Sequence, residues 1–293
     1  MHTPVLQKEV IEYLDPKPNQ NFIDCTIGEA GHALEIIEKI GPKGRILGID
    51  ADPKQIENCK LKIGNLKKRV ILARDNFTSL KEIAKREKFY QVSGILFDLG
   101  MSSWHLESSG RGFSFMKNEP LDMRYNVQNP LTAEKILNYW SGVELVKILK
   151  DYGQESFAEK IVEGILAFRR TRQIKTTGHL TEIIKRATPS WYQRGKINPA
   201  TKTFQALRIG VNDELGNLKK ALPQALEIIQ KEGRIAVISF HSLEDRIVKK
   251  FFRERFSENT LKILTKKPIT PSFEEIKINP RSRSAKLRAA TKI

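Results

Sequence analysis

No stretch of this chain narrows its fold more than Phe22 to His32, which reads F-I-D-C-T-I-G-E-A-G-H. Apolar and β-branched residues run into a turn bearing Gly28 and Gly31. An amphipathic pattern (Leu34, Ile36, Ile37, Ile40) follows at once, which predicts a strand, a tight loop and a helix N-terminus. Glycine lacks the Cβ that would hold a ligand off the backbone, and the N–H groups of a helix's first turn face a ligand placed there. A second apolar run, Arg45 to Ile49, ends in Asp50. An acid at the tip of the next strand grips a ribose diol in dinucleotide-binding α/β folds, so the expected cofactor carries an unphosphorylated ribose.

The loop is not a G-x-G-x-x-G. With Asp24 four residues before Gly28, and Ala30 and Gly31 after it, it fits better the acid-then-glycine loop of S-adenosylmethionine methyltransferases. Taken alone it leaves a ligand-free strand-turn-helix as the lesser alternative, which Asp50 weighs against. A third strand, Arg69 to Ala73, leads to Asp75 and Phe77, placed to give an adenine a polar contact and a flat wall; Phe77 as plain core is the even alternative. A fourth, Val92 to Phe97, emerges at Asp98, where a substrate amine could be held by its acid; capping the following loop is the competing role. Strands interleaved with helices predict a parallel, doubly wound sheet. Gly233–Phe240, Leu261–Leu264 and Leu287–Ala290 bring it to seven strands, and His2 to Leu14 forms a helical arm at its edge.

Fifty-one Lys and Arg against 34 Asp and Glu give a net charge of +17, which favours a polyanionic partner, nucleic acid ahead of membrane. Two cysteines without metal-ligand spacing, no membrane-length apolar run and no signal-peptide pattern predict a reducing, cytoplasmic setting, with no metal. From Ser108 to Arg124 the chain is irregular and rich in Gly, Phe and Arg, as an active-site lid would be. Phe113 or Phe115 either stacks on a base or buries beneath the loop. Leu131 to about Lys196 reads as a helical insertion with a basic far end. Arg169, Arg170, Arg172 and Arg208 are its candidate phosphate contacts, with a merely solvated face as the alternative. After the fifth strand, Ser242 and Asp245 predict a capping box. No G-x-S-x-G elbow accompanies His241 and Ser242, which argues against a hydrolase.

Several segments together resemble the bacterial RsmH (MraW) family of 16S rRNA cytosine-N4 methyltransferases: Asp24–His32, Gly94–Ser103, Arg111–Phe115, Pro120–Arg124, Ala200–Arg208 and Ser239–Arg246. The likeness runs nearly the whole length. It implies a class I S-adenosylmethionine-dependent methyltransferase fold, Rossmann-like with a seven-stranded sheet, interrupted by an all-helical domain. On that basis 1–107 and 201–293 form the methyltransferase domain, and 108–200 the lid and the basic recognition domain.

The implied donor is S-adenosyl-L-methionine, and the implied substrate is a cytidine in the decoding (P-site) region of 16S rRNA in the small ribosomal subunit. Carried over by motif, the cofactor contacts are Ala30, Gly31, His32, Asp50, Phe77, Asp98 and His105. Ala30 stands where the family commonly has Gly, acceptable if φ there is negative, and His105 where Gln is common. Asp98 is the candidate catalytic group, and His241 joins the arginines and lid aromatics on the expected RNA face. A non-catalytic rRNA-binding assembly factor is the rival expectation, but it leaves the acids Asp24, Asp50 and Asp98 at the strand ends unexplained.

Overall fold

The computed structural model describes residues 4–293, so His2 and Thr3 of the expected N-terminal arm lie outside the described residues. The chain forms two compact units: Met1–Gly100 with Leu215–Ile293, and Met101–Glu214.

The first unit is built on strands β1 (Asn21–Asp24), β2 (Arg45–Asp50), β3 (Val70–Arg74), β4 (Val92–Asp98), β5 (Ile229–Ser239), β6 (Leu261–Ile263) and β7 (Lys286–Lys292), in the order β3-β2-β1-β4-β5-β7-β6. β1 to β5 are parallel, and β7 runs antiparallel between β5 and β6. This is the seven-stranded, Rossmann-like class I sheet. Parallel strands covered on both faces need continuous apolar runs, and β4 is buried from Val92 to Phe97.

Helices α1 (Gln7–Leu14), α2 (Gly31–Lys39), α3 (Pro53–Ile63) and α4 (Leu80–Arg86) lie in the first hundred residues. α3 starts where Asp52 accepts the Lys54 N–H (2.9 Å) and Pro53 occupies a first-turn position. The sheet admits no side chain at Gly94, where an added Cβ would stand 2.2 Å from Phe22 Cε1.

The second unit holds α5 (Ser103–Glu107), α6 (Ala133–Tyr139), α7 (Gly142–Asp151), α8 (Ala158–Thr171), α9 (Thr177–Ala187), α10 (Ser190–Gln193) and α11 (Ala200–Asn212). Its limits differ from the expected 108–200. Phe204, Leu207 and Val211 of α11 bury in one core with Ile136, Leu149 and Ile161, which draws α11 out of the α/β unit.

Then come α12 (Glu214–Ile228), α13 (Ser242–Ser257) and α14 (Phe273–Ile278). The sequence predicts helix over Thr203–Gln230 with interruptions near Gly216 and Pro223; the break falls instead at Asp213 (φ 48°). Pro223 sits inside a continuous α12, because burial of Leu218, Ala221, Leu222 and Ala225 outweighs the one hydrogen bond a proline removes. α13 is capped by His241 with Glu244, one residue before the expected Ser242 box; Asp245 instead binds Arg288 (2.6 Å).

The irregular stretch from Ser108 is pinned within the helical unit. Glu119 accepts the Gly112 N–H (2.9 Å) through its side chain and the Thr177 N–H (2.9 Å) through its carbonyl, and Leu121 N–H reaches the Lys175 carbonyl (3.0 Å). Gly112 (φ 71°) leaves no room for a Cβ, which would meet the Pro120 carbonyl. Among the described residues no helix is long and apolar enough to cross a membrane.

Candidate active site

Three neighbouring strands, β2, β1 and β4, each end in an aspartate: Asp50, Asp24 and Asp98. Parallel strands place these carboxylates on one edge, where the connecting loops converge and α/β sheets bind ligands.

Asp50 fastens that edge. Its Oδ2 accepts the Gly28 N–H (3.0 Å) and its Oδ1 the Asp52 N–H (2.9 Å), joining the loops after β1 and β2. Asp24 turns back on its own loop and accepts the Thr26 N–H (3.0 Å). The Thr26 hydroxyl accepts the Asp98 N–H (2.8 Å) and lies 3.4 Å from Asp24 Oδ1, so one side chain ties β1 to β4. The sequence announces no motif that assigns Thr26 a role of its own. The signal was its place two residues after a strand-end acid, where Asx-type turns form.

His32, in the first turn of α2, brings its Nε2 to 3.5 Å from Asp98 Oδ2. Both of its ring nitrogens, and Asp98 Oδ1, are buried without a hydrogen-bond partner among the described residues. Buried polar atoms are normally satisfied, so these three can engage a ligand or ordered water. The electrostatics are strained in the same place. Burial pushes the Asp24 carboxyl up to about 6, against the pull of His32 and the Thr26 N–H. Burial alone would depress His32, but the carboxylates of Asp98 and Asp24 overcome it and raise its pKa.

The loop departs from expectation at two residues. Ala30 has φ 65°, not negative, and is fully buried, so it holds a left-handed conformation that glycine would adopt without strain. Gly31 makes room for the N-terminal arm: a Cβ there would stand 2.6 Å from Pro4 Cγ. Beyond β3, Phe77 is partly buried with its edge on Phe97 (5.7 Å between centroids), while Asp75 pairs with Arg86 (3.0 Å) rather than standing clear for a base. His241 is committed to its cap. Nδ1 accepts the Glu244 N–H (3.4 Å), and Nε2 lies 3.2 Å from Glu244 Oε1 without making a hydrogen bond among the described residues.

The remaining predicted residues belong to the helical unit, and several are used internally. His105 is buried in a capping box with Ser102 (2.9 Å) and packs edge-on against Phe113 and Tyr125. Phe113 is 4% exposed and stacks on Tyr125 at 5.4 Å, and Phe115 packs on Phe204. Phe113 therefore takes the buried alternative, in one core with Leu121 and Met123, while Phe115 is only partly covered. Arg169 donates to the Leu137 (3.0 Å) and Trp140 (2.7 Å) carbonyls at the end of α6, and Arg172 lies over Phe168 at 4.6 Å. Arg208 is 8% exposed and forms two hydrogen bonds to Glu214 (2.8 and 2.9 Å). Arg170 and Arg172 are both exposed, and of the two only Arg172 rests on a neighbouring side chain, the Phe168 ring, among the described residues.

The family described as the MraW methylase family matches residues 1–293. A protein of Clostridioides difficile named ribosomal RNA small subunit methyltransferase H is 43% identical, over 100% of this chain and 99% of its own length. Its namesake in Persephonella marina is 44% identical, over 100% and 99%. The solved structure of an rRNA methylase from Streptococcus thermophilus aligns with a TM-score of 0.46 at 9% identity, over 98% of this chain and 93% of that one.

Proposed function

The chain belongs to the MraW methylase family, and we propose that it is an S-adenosylmethionine-dependent methyltransferase acting on N4 of a cytidine in the decoding (P-site) region of 16S rRNA, in the small ribosomal subunit. The observation that carries this is the row of strand-end carboxylates Asp50, Asp24 and Asp98, with His32 beside Asp98 and polar atoms of both left without a partner among the described residues.

These residues fit the cofactor. Asp50, held still by two backbone N–H donors, suits a ribose diol, and the buried acids Asp24 and Asp98 suit a cationic amino-acid end. Phe77 offers a partly exposed ring for a base, and Ala30 to His32 bring the backbone of the first turn of α2 to the loop. When bound, the cofactor supplies an electrophilic methyl group on a sulfonium.

The protein's own task is to present the acceptor. The lone pair of cytosine N4 is delocalised into the ring, so the amine attacks only if it is held in line and its N–H groups are accepted as it pyramidalises. Asp98 Oδ1 is the acceptor for that N–H. As the new C–N bond forms, the nitrogen must shed a proton, and Asp98 with the imidazole of His32 at 3.5 Å can hold it. Exposed cations, Arg170 among them, would meet the RNA backbone.

The test is transfer of labelled methyl from S-adenosylmethionine to small subunits lacking the modification, followed by nucleoside analysis. N4-methylcytidine is expected. Methyl on another atom would refute the cytosine-N4 assignment, and a protein that binds no S-adenosylhomocysteine would refute the cofactor. Asp98→Ala should lower turnover at saturating cofactor by about 10²-fold or more.

A further inference from the structure

The excess positive charge is not centred on the helical unit. Residues 101–214 carry 17 Lys and Arg against 12 Asp and Glu, whereas residues 215–293 carry 18 against 8. Within that second stretch the cations are ordered on α13. Arg246, Lys249, Lys250 and Arg253 stand at i, i+3, i+4 and i+7, all exposed on one face, while Val248, Phe251 and Phe252 bury the other. The four span about 10 Å of helix axis and, with Glu254, line a shallow depression of about 330 Å³. The acidic neighbour does little to neutralise them: Glu254 lies 3.7 Å from Lys250 in an exposed pair that a phosphate can displace.

The stripe also has a direction. Asp98 of β4 is in register with Ile238 of β5, and the Leu99 N–H binds the Ile238 carbonyl (3.0 Å). α13 is capped by His241, three residues beyond Ile238, so it starts at the edge that carries Asp98 and runs away from it. We infer that this stripe binds the phosphate backbone of the rRNA strand carrying the target nucleotide, giving the α/β unit an RNA contact of its own. The inference rests on the rRNA methyltransferase function above. An extended polyanion is the occupant that complements four cations in a row without an enclosing pocket.

The test is binding to small-subunit rRNA transcribed in vitro, measured across 50–200 mM KCl, with the combined Arg246→Gln, Lys249→Gln, Lys250→Gln and Arg253→Gln variant. At roughly 0.7–0.9 counterions per phosphate contact, the slope of log K against log salt should fall by about 3. S-adenosylhomocysteine affinity should stay at the wild-type value, which also reports that the variant is folded. Lys60→Gln, Lys67→Gln and Lys68→Gln together remove three exposed cations near β3, at the opposite end of the sheet, and should leave the slope unchanged. An unaltered slope in the α13 variant, or an equal fall in the control, overturns the stripe alone. Loss of affinity for assembled subunits but not for naked rRNA would assign the stripe to a ribosomal protein instead. Wild-type protein that binds S-adenosylhomocysteine yet shows no salt-dependent affinity for the RNA would overturn the stripe and the rRNA substrate together.

Discussion

Replacing Asp24 by asparagine should make the α/β unit more stable near neutral pH while loosening its hold on the cofactor. Asp24 is 2% exposed, and burial lifts its carboxyl from 3.8 to about 6. A carboxyl whose folded pKa lies above its unfolded value favours the fold while protonated in both states, and loses that advantage as pH climbs from 3.8 through 6. At 1.36 kcal/mol per pH unit, the folded protein gives up about 3 kcal/mol across this window. Asparagine keeps an oxygen for the Thr26 N–H but carries no charge.

The variant's advantage in urea unfolding should therefore grow from about 1 kcal/mol at pH 4.5 to about 3 kcal/mol at pH 6.5. Stopping at pH 6.5 limits the contribution of His32, whose pKa its acidic neighbours raise. In thermal melts at pH 6.5 the gain is about 6–12 °C for a unit of this size. S-adenosylhomocysteine affinity should drop by about tenfold or more, as expected when a charge-assisted hydrogen bond is removed. An equal gap at both pH values, or a wild type that is the more stable at pH 6.5, would show that burial does not hold this carboxyl high.

Three further outcomes follow from the packing. Gly94→Ala should destabilise by about 1–3 kcal/mol or more in urea titration, because its Cβ would collide with the Phe22 ring in the centre of the sheet. Arg208→Met should cost about 3–5 kcal/mol by leaving Glu214 buried without its cation, and adding Glu214→Leu should recover most of that loss. Arg169→Gln should destabilise the helical unit by about 1.5–3 kcal/mol by uncapping α6, whereas Arg170→Gln should leave stability within about 0.5 kcal/mol. On RNA the order should invert, with Arg170→Gln lowering the salt slope by about 1.

The sheet was legible in the sequence because strands buried on both faces must be continuously apolar, and each of the first, second and fourth strands closes on an acid that periodicity alone would not require. The loop around Gly28 was legible for the same reason, as an apolar run broken by small residues. What the sequence could not disclose was which partner each polar residue chooses. Arg169 and Arg170 are identical in one dimension, yet one caps a helix and the other faces solvent. Nor does an alanine declare its dihedral angle: Ala30 sits at φ 65° because the loop on either side holds it there. α11 reads as amphipathic whichever core receives it, so its place with the helical unit emerges only from tertiary packing. Phe113 is hidden in the same way, since an irregular loop gives no period from which to tell a buried ring from an offered one.

The interrupted layout of the α/β unit bears on the order in which the protein is made. Residues 101–214 are contiguous and emerge from the ribosome before β5 and β7 exist, so the helical unit can close its core while β4 still shows an open edge. That edge is paired only after Ser239 has been synthesised, and β5's own far edge only after Lys292 of β7. A nascent chain stalled between β5 and β7 therefore carries an unpaired apolar edge, and a premature stop there should produce a protein that aggregates rather than one that is merely less active.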